Sequence, residues 1–569
     1  MPAGNFRASD LQTVLDQYHL SLVETERCSR ASEGSFYPAL QRLIEGTAAA
    51  LGQRRVQALL LPRPDADLCP DLQVLAGSER VVGYVEAKPP GTDLERVSRS
   101  RQLRRYRKAF PNLLLTDFRR FQLFRNDTLV VSVGSFWADA GAGDGLVPLL
   151  STFLDHAHAG LRSAGALAKA LAVRTRHLKD MIEILLQENL ASEEGRGAGR
   201  GSAQRAGPSG DVVGFYRAFS QHLIADLEVS EFADLYAQTL TFGLFAARTR
   251  WSGDGFGLGT AASTVPETTG VLRDAFRYIS LADPPAEVRW ILEDLVEVLR
   301  GADVDRIFRR WFHEGRGSDP IVHFYETFLE AYDSETRGRR GVFYTPIPLV
   351  SYVVRSVDHL LREYLKFPLG LADERVRLLD PAAGTLPFLT EAWEVAREAF
   401  GRAFGTGSDG AFIEGHLLRN FYGLELMMAP YAVGHVKVDY LLREWDEPLA
   451  PGERCKLYLT NALEGGALRQ SDLPGMASLT RESREAEAVK KDLEVNVVVG
   501  NPPYSGHSAN RDGWIDELLR DGYERPGGER DSGYYRVEGE PLGEKNPKWL
   551  RDDYVKFLRL AQWKIDRAG

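Results

Sequence analysis

The residues best suited to chemistry follow a short apolar segment late in the chain. Residues 495–499 are mainly apolar and lead into Asn501, Pro502, Pro503 and Tyr504. Two successive prolines fix the backbone and remove two hydrogen-bond donors, so a strand must end and the chain must turn there. In α/β folds, a turn at the carboxyl end of a parallel strand lies where ligands bind. The pattern therefore predicts a binding site at this turn.

The polar groups of the turn match what methylation of an exocyclic amine requires. The lone pair of such an amine is delocalised into its ring, so acceptors must take hydrogen bonds from the NH₂ group and draw it toward a tetrahedral geometry. The side-chain carbonyl of Asn501 and the backbone carbonyl of Pro502 are such acceptors, and neither needs to titrate. Tyr504 offers a flat face on which an extruded base can stack.

A second set of candidate residues lies in the first hundred positions. Asp71 begins one predicted strand, and Glu86 and Lys88 lie on the second arm of a predicted hairpin. Because side chains alternate along a strand, Glu86 and Lys88 should share one face. Two carboxylates can hold Mg²⁺ through oxygen, while a lysine stabilises charge on a phosphate or orients a water molecule. The pattern predicts metal-dependent chemistry at a phosphate.

The turn at 501–504 and the motifs before it resemble the amino-group DNA methyltransferases. The resemblance is strongest to large adenine-specific enzymes fused to nucleases, the type I single-polypeptide and type IIG-like restriction–modification enzymes. It covers residues 341–569 at motif level. It implies that Asn501, Pro502, Pro503 and Tyr504 form the catalytic motif, that S-adenosyl-L-methionine is the cofactor, and that double-stranded DNA is the partner.

The same resemblance implies a cofactor site built from motifs in the expected order. Residues 341–354 match a helix-initiating motif at the methionine end of the cofactor, and residues 376–389 match the glycine-containing loop after the first strand. Glu425 would accept hydrogen bonds from the ribose hydroxyls, and Asn461 would contact the adenine ring. The cofactor contacts carried over in this way are Tyr344, Thr345, Pro346, Asp380, Pro381, Ala382, Gly384, Phe388, Glu425 and Asn461.

One position departs from the family pattern. Leu386, followed by Pro387, stands where the family usually has a second glycine. Glycine adopts backbone conformations that other residues avoid, so the substitution puts the expected loop geometry in question.

The first domain resembles the PD-(D/E)xK nucleases. Glu33 lies on the helix before the hairpin, where that family often has an acid, and Gln102 and Tyr106 match its QxxxY element. Seven of the thirteen residues at 96–108 are Arg or Lys, which would place phosphate-binding charge near the metal site. The resemblance implies Mg²⁺ held by Asp71 and Glu86, with Lys88 as a catalytic residue.

These residues need two α/β domains to position them. Residues 1–165 alternate helical and strand patterns, and residues 166–340 are helical in spacing apart from a Gly-, Ser- and Arg-rich linker near 193–212. From residue 341 to 569, apolar strands alternate with amphipathic helices, which predicts a mainly parallel sheet covered on both faces. We therefore expect a PD-(D/E)xK nuclease-like α/β domain, a helical connector and a Rossmann-like methyltransferase domain.

Composition sets broad limits on the function. The net charge is −10, so DNA must be bound by a local basic face rather than by the whole surface. No run approaches the roughly 20 apolar residues that span a bilayer, and the first residues lack a secretory signal pattern. Three widely spaced cysteines show no metal-ligand spacing, which is typical of reduced thiols in the cytoplasm.

The sequence thus predicts a DNA adenine-N6 methyltransferase with a fused endonuclease, acting in restriction–modification or phage defence. Two alternatives stay open: methylation of RNA or of protein glutamine, and a DNA-binding defence subunit whose catalysis has degenerated. The family sheet usually has about three more strands than the segments after residue 504 supply. We expect the C-terminal part to be missing and a second polypeptide to carry the rest of the sheet and the target-recognition domain.

Overall fold

The structure is a computed structural model of the 569-residue chain. It describes residues 8–28, 30–53, 55–61, 69–77, 80–134, 143–155, 163–195, 212–222, 224, 227–251, 253, 255–264, 284–304, 306–307, 320–332, 345–405, 407, 409–450, 453–465, 477–503, 510, 513–537, 540–543 and 548–568.

The α-helices are, in chain order, α1 (Ala8–Glu26), α2 (Tyr37–Ala50), α3 (Leu94–Ser98), α4 (Arg101–Ala109), α5 (Gly143–Leu154), α6 (Ala164–Gly195), α7 (Val212–His222), α8 (Val229–Arg250), α9 (Leu258–Thr264), α10 (Ala286–Gly301), α11 (Pro320–Tyr332), α12 (Ile347–Glu363), α13 (Pro387–Phe404), α14 (Asp409–Phe412), α15 (Leu418–Asn420), α16 (Met428–Glu444), α17 (Ala477–Lys491), α18 (Gly513–Arg520) and α19 (Asp553–Ala568). Short 3₁₀ turns cover Glu33–Phe36, Gly370–Ala372 and Lys548–Arg551, and a π turn covers Ile413–Leu417.

The strands are β1 (Val56–Leu60), β2 (Leu72–Ala76), β3 (Arg80–Ala87), β4 (Asn112–Thr116), β5 (Phe121–Arg125), β6 (Thr128–Val133), β7 (Leu378–Asp380), β8 (Phe421–Glu425), β9 (Lys456–Leu459), β10 (Val497–Val498), β11 (Tyr523–Glu524), β12 (Arg530–Asp531), β13 (Arg536–Val537) and β14 (Glu540–Pro541).

The chain divides into two compact units. The first comprises Met1–Leu185, Gly255–Leu258 and Asp283–Asp303. The second comprises Leu186–Asp254, Gly259–Ala282 and Val304–Gly569. Residues of the predicted helical connector at 166–340 therefore occur in both units.

The first unit is built on one mixed sheet whose strands follow chain order from β1 to β6. Neighbouring strands are antiparallel except β3 and β4, which are parallel and are joined through α3 and α4. Apolar side chains of α1, α2 and α5 form the core on one face. On the other face, the ring of Trp290 on α10 lies 5.9 Å from Phe110 and 5.8 Å from Tyr84, between ring centroids.

The second unit contains a four-stranded parallel sheet in the order β10-β7-β8-β9. Tyr422 and Leu424 of β8 pack with residues of α17, α18 and α19 on one face. Gly423 faces the opposite side, where Leu389 of α13 lies so close that an added Cβ would come within 3.0 Å of it. The predicted mixed α/β architecture is confirmed, with a sheet covered on both faces.

Most of the predicted Gly-, Ser- and Arg-rich linker lies outside the described residues. Residues 193–195 of the predicted linker end α6, and residues 196–211 lie outside the described residues. Within the described ranges, every helix is too short or too polar to cross a bilayer.

Candidate functional site

The parallel sheet has a topological switch point beside β7. Strands β8 and β9 extend from β7 in one direction, whereas β10 lies on its other side. In such sheets, the connections diverge at the carboxyl ends of the two strands and leave a crevice there. Asp380 ends β7, and Asn501 follows β10 at the same edge. The two motifs that the sequence placed 121 positions apart therefore meet at one crevice.

Asp380 is a buried carboxylate with one satisfied oxygen. Its Oδ1 accepts a hydrogen bond from the backbone N–H of Ala382 at 3.1 Å. Its Oδ2 is buried and has no hydrogen-bond partner among the described residues. A Cβ at Gly500 would lie 2.6 Å from Oδ1, so the glycine allows the segment after β10 to approach the carboxylate. Burial raises the pKa of Asp380 to about 8, with the nearby Glu425 as a smaller cause.

Glu425 ties the loop after β7 to the end of β8. Its Oε2 accepts from the N–H of Gly384 at 2.8 Å, and its Oε1 accepts from the N–H of Met427 at 2.6 Å. The N–H of Ala383 also bonds to the carbonyl of Leu424 at 2.9 Å. Burial raises the pKa of Glu425 to about 7, while the backbone donors lower it. Asp380 and Glu425 thus hold the backbone of residues 382–384, and this loop is called the backbone cradle below.

Leu386 adopts the conformation that a glycine would take. Its φ of 64° and ψ of 38° lie in the left-handed region, where it acts as the N-cap of α13. Its carbonyl accepts from the N–H of Thr390 at 3.1 Å, from the Thr390 hydroxyl at 2.8 Å and from Lys437 Nζ at 3.4 Å. Its side chain is buried against Gly434 of α16. The departure at this position therefore leaves the turn intact.

The remaining residues of the predicted cofactor site lie around this cradle. Pro381 and Ala382 follow Asp380, and Phe388 is buried in the first turn of α13. Pro346 is the N-cap residue of α12. Tyr344 lies outside the described residues.

Asn461 follows β9, and both the nitrogen and the oxygen of its side-chain amide form hydrogen bonds. Its Nδ2 donates to Oδ1 of Asn510 at 2.6 Å, and its Oδ1 accepts from the N–H of Leu463 at 3.1 Å. Lys490 Nζ donates to its backbone carbonyl at 3.3 Å. The sequence reasoning missed Asn510 and Lys490, because each lies far from residue 461 in the chain and neither belongs to a recognised motif.

Asn501 is partly exposed in the crevice and contacts Thr345. Its Nδ2 donates to the Thr345 hydroxyl oxygen at 3.0 Å. Pro502 and Pro503 are likewise partly exposed, whereas Tyr504 lies outside the described residues. The structure thus brings together one residue predicted to be catalytic and one predicted to bind the cofactor.

The first unit gathers the second set of predicted residues at the end of β3. Lys88 Nζ lies 2.6 Å from Glu86 Oε1, which also accepts from Gln102 Nε2 at 3.3 Å. Gln102 Nε2 lies 3.3 Å from the hydroxyl of Tyr106, the residue one turn later on α4. Burial and the Glu86 carboxylate raise the pKa of Tyr106, so its phenol stays protonated.

Asp71 and Glu33 meet through a residue that the sequence reasoning missed. The hydroxyl of Tyr37 lies 2.6 Å from Glu33 Oε1 and 2.9 Å from Asp71 Oδ1. The other oxygen of Asp71 accepts from the N–H of Ala87 at 2.6 Å. The spacing of four residues between Glu33 and Tyr37, one helical turn, is the signal that could have identified Tyr37.

Over the described part of the chain, no group of three or more His, Cys, Asp or Glu residues is arranged to hold a metal ion.

The family comparison matches residues that belong to the second unit. The family model that matches is described as N-6 DNA Methylase, and it covers residues 316–535. Over 165 residues the chain is 27% identical to the type I restriction enzyme StySPI methylase subunit of Salmonella potsdam, which is 29% of this chain and 28% of that subunit. The chain therefore spans less than a third of the curated relative it matches.

Solved structures of DNA complexes are among those similar to the chain. A DrdV–DNA complex matches at 19% identity and a TM-score of 0.45, over 98% of this chain and 49% of that one. A nuclease-deletion mutant of the type ISP restriction–modification enzyme LlaGI, in complex with a DNA substrate mimic, matches at 16% identity and a TM-score of 0.47. That match covers 74% of this chain and 30% of the other.

Proposed function

We propose that the protein transfers a methyl group from S-adenosylmethionine to the N6 amine of adenine in double-stranded DNA, because residues 316–535 match the family model described as N-6 DNA Methylase. One observation carries the proposal most directly. Asn501, with its acceptor-rich turn, stands at the same sheet edge as the loop held by Asp380 and Glu425. An amine acceptor and a cofactor cradle side by side are what methyl transfer requires.

The residues of the crevice fit S-adenosylmethionine. A buried carboxylate oxygen without a partner is costly, and Oδ2 of Asp380 is such an atom among the described residues. A donor of the cofactor would satisfy it. Glu425 would bind the ribose hydroxyls and Asn461 the adenine ring. When bound, the cofactor supplies an electrophilic methyl group.

The chain's own residues prepare the target amine. Oδ1 of Asn501 and the carbonyl of Pro502 would accept the two N–H bonds of the adenine amine and localise its lone pair. Both are neutral acceptors, so this step needs no titrating base. Pro502 and Pro503 hold the turn because their φ angles are fixed by the ring. Tyr504 would stack on the extruded base.

A second activity is favoured by the cluster in the first unit. We infer that Glu86, Lys88, Gln102 and Tyr106 belong to a PD-(D/E)xK-type endonuclease site, because hydrogen bonds and an ion pair join them at one strand end. Mg²⁺ is commonly held by one or two carboxylates, with phosphate oxygens and water completing its shell. Asp71 and Glu86 are the carboxylates that we propose for that role. Lys88 would neutralise charge on the phosphate, and the enzyme would act in restriction–modification or phage defence.

The edge of the parallel sheet supports a further part of the proposal. Among the described strands, β10 pairs with β7 alone, and no described strand covers its other side. We propose that a further strand covers this edge, from a second polypeptide that also carries the target-recognition domain. DNA binding by this chain alone should then be weak, independent of sequence and steeply reduced by salt.

The central experiment follows a labelled methyl group. In separate reactions, the protein is incubated with S-adenosylmethionine carrying a tritiated methyl group and with one substrate, which is unmodified duplex DNA, RNA or protein. We expect label in DNA, recovered as N6-methyladenine after digestion to nucleosides. Label in RNA or in glutamine would replace the DNA proposal with that substrate. Cofactor binding by calorimetry without transfer to any substrate would favour the degenerate DNA-binding subunit.

A further inference from the structure

The hydrogen bond between Thr345 and Asn501 gives Thr345 a role beyond cofactor contact. We propose that Thr345 is a positioning residue that orients the Asn501 amide so that Oδ1 faces the target amine. The bond joins residues 156 positions apart, with Asn501 Nδ2 donating to Thr345 Oγ1 at 3.0 Å. The inference rests on the proposed function, because it concerns how the catalytic turn meets its substrate.

Orientation matters because the two ends of an asparagine amide are opposite in hydrogen-bonding character. The oxygen accepts, whereas the nitrogen donates through two N–H bonds. If the amide turned by half a rotation, its N–H groups would face those of the adenine amine, and donor would oppose donor. A partner that binds the nitrogen end therefore leaves the oxygen end directed toward the substrate.

In the described part of the chain, Thr345 is the residue whose side chain accepts a hydrogen bond from the Asn501 amide nitrogen. No other side-chain hydrogen bond of Asn501 occurs among the described residues. The Thr345 side chain is buried, so water does not compete freely for its hydroxyl. A hydrogen bond of ordinary net strength shifts a two-orientation population by roughly twofold to tenfold.

Thr345 is itself held rigidly. It precedes Pro346, and a residue before proline is restricted to extended backbone conformations. Pro346 caps α12, where its carbonyl accepts from the N–H groups of Leu349 at 2.9 Å and Val350 at 3.1 Å. The hydroxyl therefore belongs to the residue that immediately precedes the N-cap of α12.

The test uses three proteins that differ by one or two atoms. Thr345→Val keeps the shape and removes the hydroxyl, whereas Thr345→Ser keeps the hydroxyl. We expect Thr345→Val to lower kcat for DNA methylation by roughly threefold to tenfold when the cofactor is saturating. Thr345→Ser should retain a kcat within about threefold of the wild type. A raised cofactor Kd with unchanged kcat, or equal losses in the two variants, would overturn the inference.

A second measurement does not depend on methyl transfer. Asparagine labelled with ¹⁵N reports each side-chain amide, and the resonance of Asn501 is assigned by its loss in Asn501→Ala. We expect a hydrogen-bonded amide proton in wild type and Thr345→Ser that shifts in Thr345→Val. An unchanged Asn501 resonance in Thr345→Val would refute the positioning role. Absence of methyl transfer by the wild type, with the expected amide shift, would refute the proposed function and leave the contact standing.

Discussion

The two candidate sites are held together in different ways. At the parallel sheet, the carboxylates of Asp380 and Glu425 bind backbone N–H groups of the loops that they organise. At the end of β3, the carboxylate of Glu86 is bound by side chains, the ammonium of Lys88 and the amide of Gln102. The first arrangement holds loops through backbone hydrogen bonds, whereas the second combines the side-chain contacts of Glu86 with a backbone contact, from the N–H of Ala87 to Asp71.

This difference bears on what each site must do to bind its ligand. A backbone cradle keeps its shape when the ligand arrives, so little reorganisation is needed. In the first unit, Mg²⁺ would have to compete with the 2.6 Å contact of Lys88 and with the Tyr37 hydroxyl beside Asp71. We therefore expect the cofactor site to be preorganised and the metal site to rearrange when metal and DNA bind together.

The largest effect is expected at Asn501. Asn501→Ala removes the side-chain acceptor for the target amine, which should lower methyl transfer by at least about a thousandfold. Because this side chain is not proposed to bind the cofactor, cofactor affinity by calorimetry should stay within about threefold. Methylation within about tenfold of wild type would show that the turn is not catalytic.

A comparable loss, confined to the other unit, is expected at Lys88. Lys88→Ala should reduce Mg²⁺-dependent DNA cleavage by at least about a hundredfold, since its charge would face the phosphate. Lys169→Ala, which removes an exposed lysine of α6, serves as the matched control and should cleave normally. Methylation should be unchanged in both variants. Joint loss of cleavage and methylation in Lys88→Ala would contradict the assignment of two separate sites.

Local patterns in the sequence predicted much of the cradle, but they could not predict contacts between residues that are far apart in the chain. Asp380 and Glu425 were predicted to end strands because apolar runs followed by turns are local signals, and both do end strands. The contact between Thr345 and Asn501 depends on the packing of distant segments. The space that admits Leu386 likewise comes from Gly434 on another helix, so sequence alone left that loop in question.

Cofactor affinity should fall when either buried carboxylate is removed. A hydrogen bond to a neutral or charged carboxyl contributes about 0.5–3 kcal/mol, which corresponds to roughly twofold to a hundredfold in Kd. Asp380→Ala and Glu425→Ala should each show a loss in this range by calorimetry. Glu398→Ala, at an exposed position of α13, is the control. Wild-type affinity in both site variants would place the cofactor elsewhere.

The same carboxylates should make stability depend on pH. Burial raises the pKa of Asp380 from 3.8 to about 8, so the folded chain binds a proton that the unfolded chain has lost. Between about pH 4 and pH 8, the free energy of unfolding without cofactor should therefore decrease as pH rises, by up to about 1.4 kcal/mol per pH unit for one carboxyl. Asp380→Asn should flatten this slope in urea titrations at pH 5, 6 and 7. Identical slopes in the variant and wild type would contradict the protonated state.

The smallest effect expected concerns the pairing of Leu386 with Gly434. A Cβ at residue 434 would lie 3.0 Å from Leu386 Cγ and 3.0 Å from Leu457 Cδ2, so Gly434→Ala should overpack the site. Overpacking costs about 1–3 kcal/mol, whereas alanine gains about 1 kcal/mol over glycine within a helix. We expect a net loss of about 1 kcal/mol in urea unfolding.

The double variant decides whether Leu386 is the cause. Leu386→Gly relieves a left-handed leucine that costs about 1–2 kcal/mol, but it also removes a buried side chain, so the single variant should be less stable overall. In that background the added methyl group has room, and Leu457 can move into the space. Gly434→Ala should then be neutral or stabilising by about 1 kcal/mol, because only the helix-propensity gain is left. Effects that simply add would mean that the glycine of α16 does not accommodate the leucine, and that another contact keeps residue 386 in the left-handed conformation.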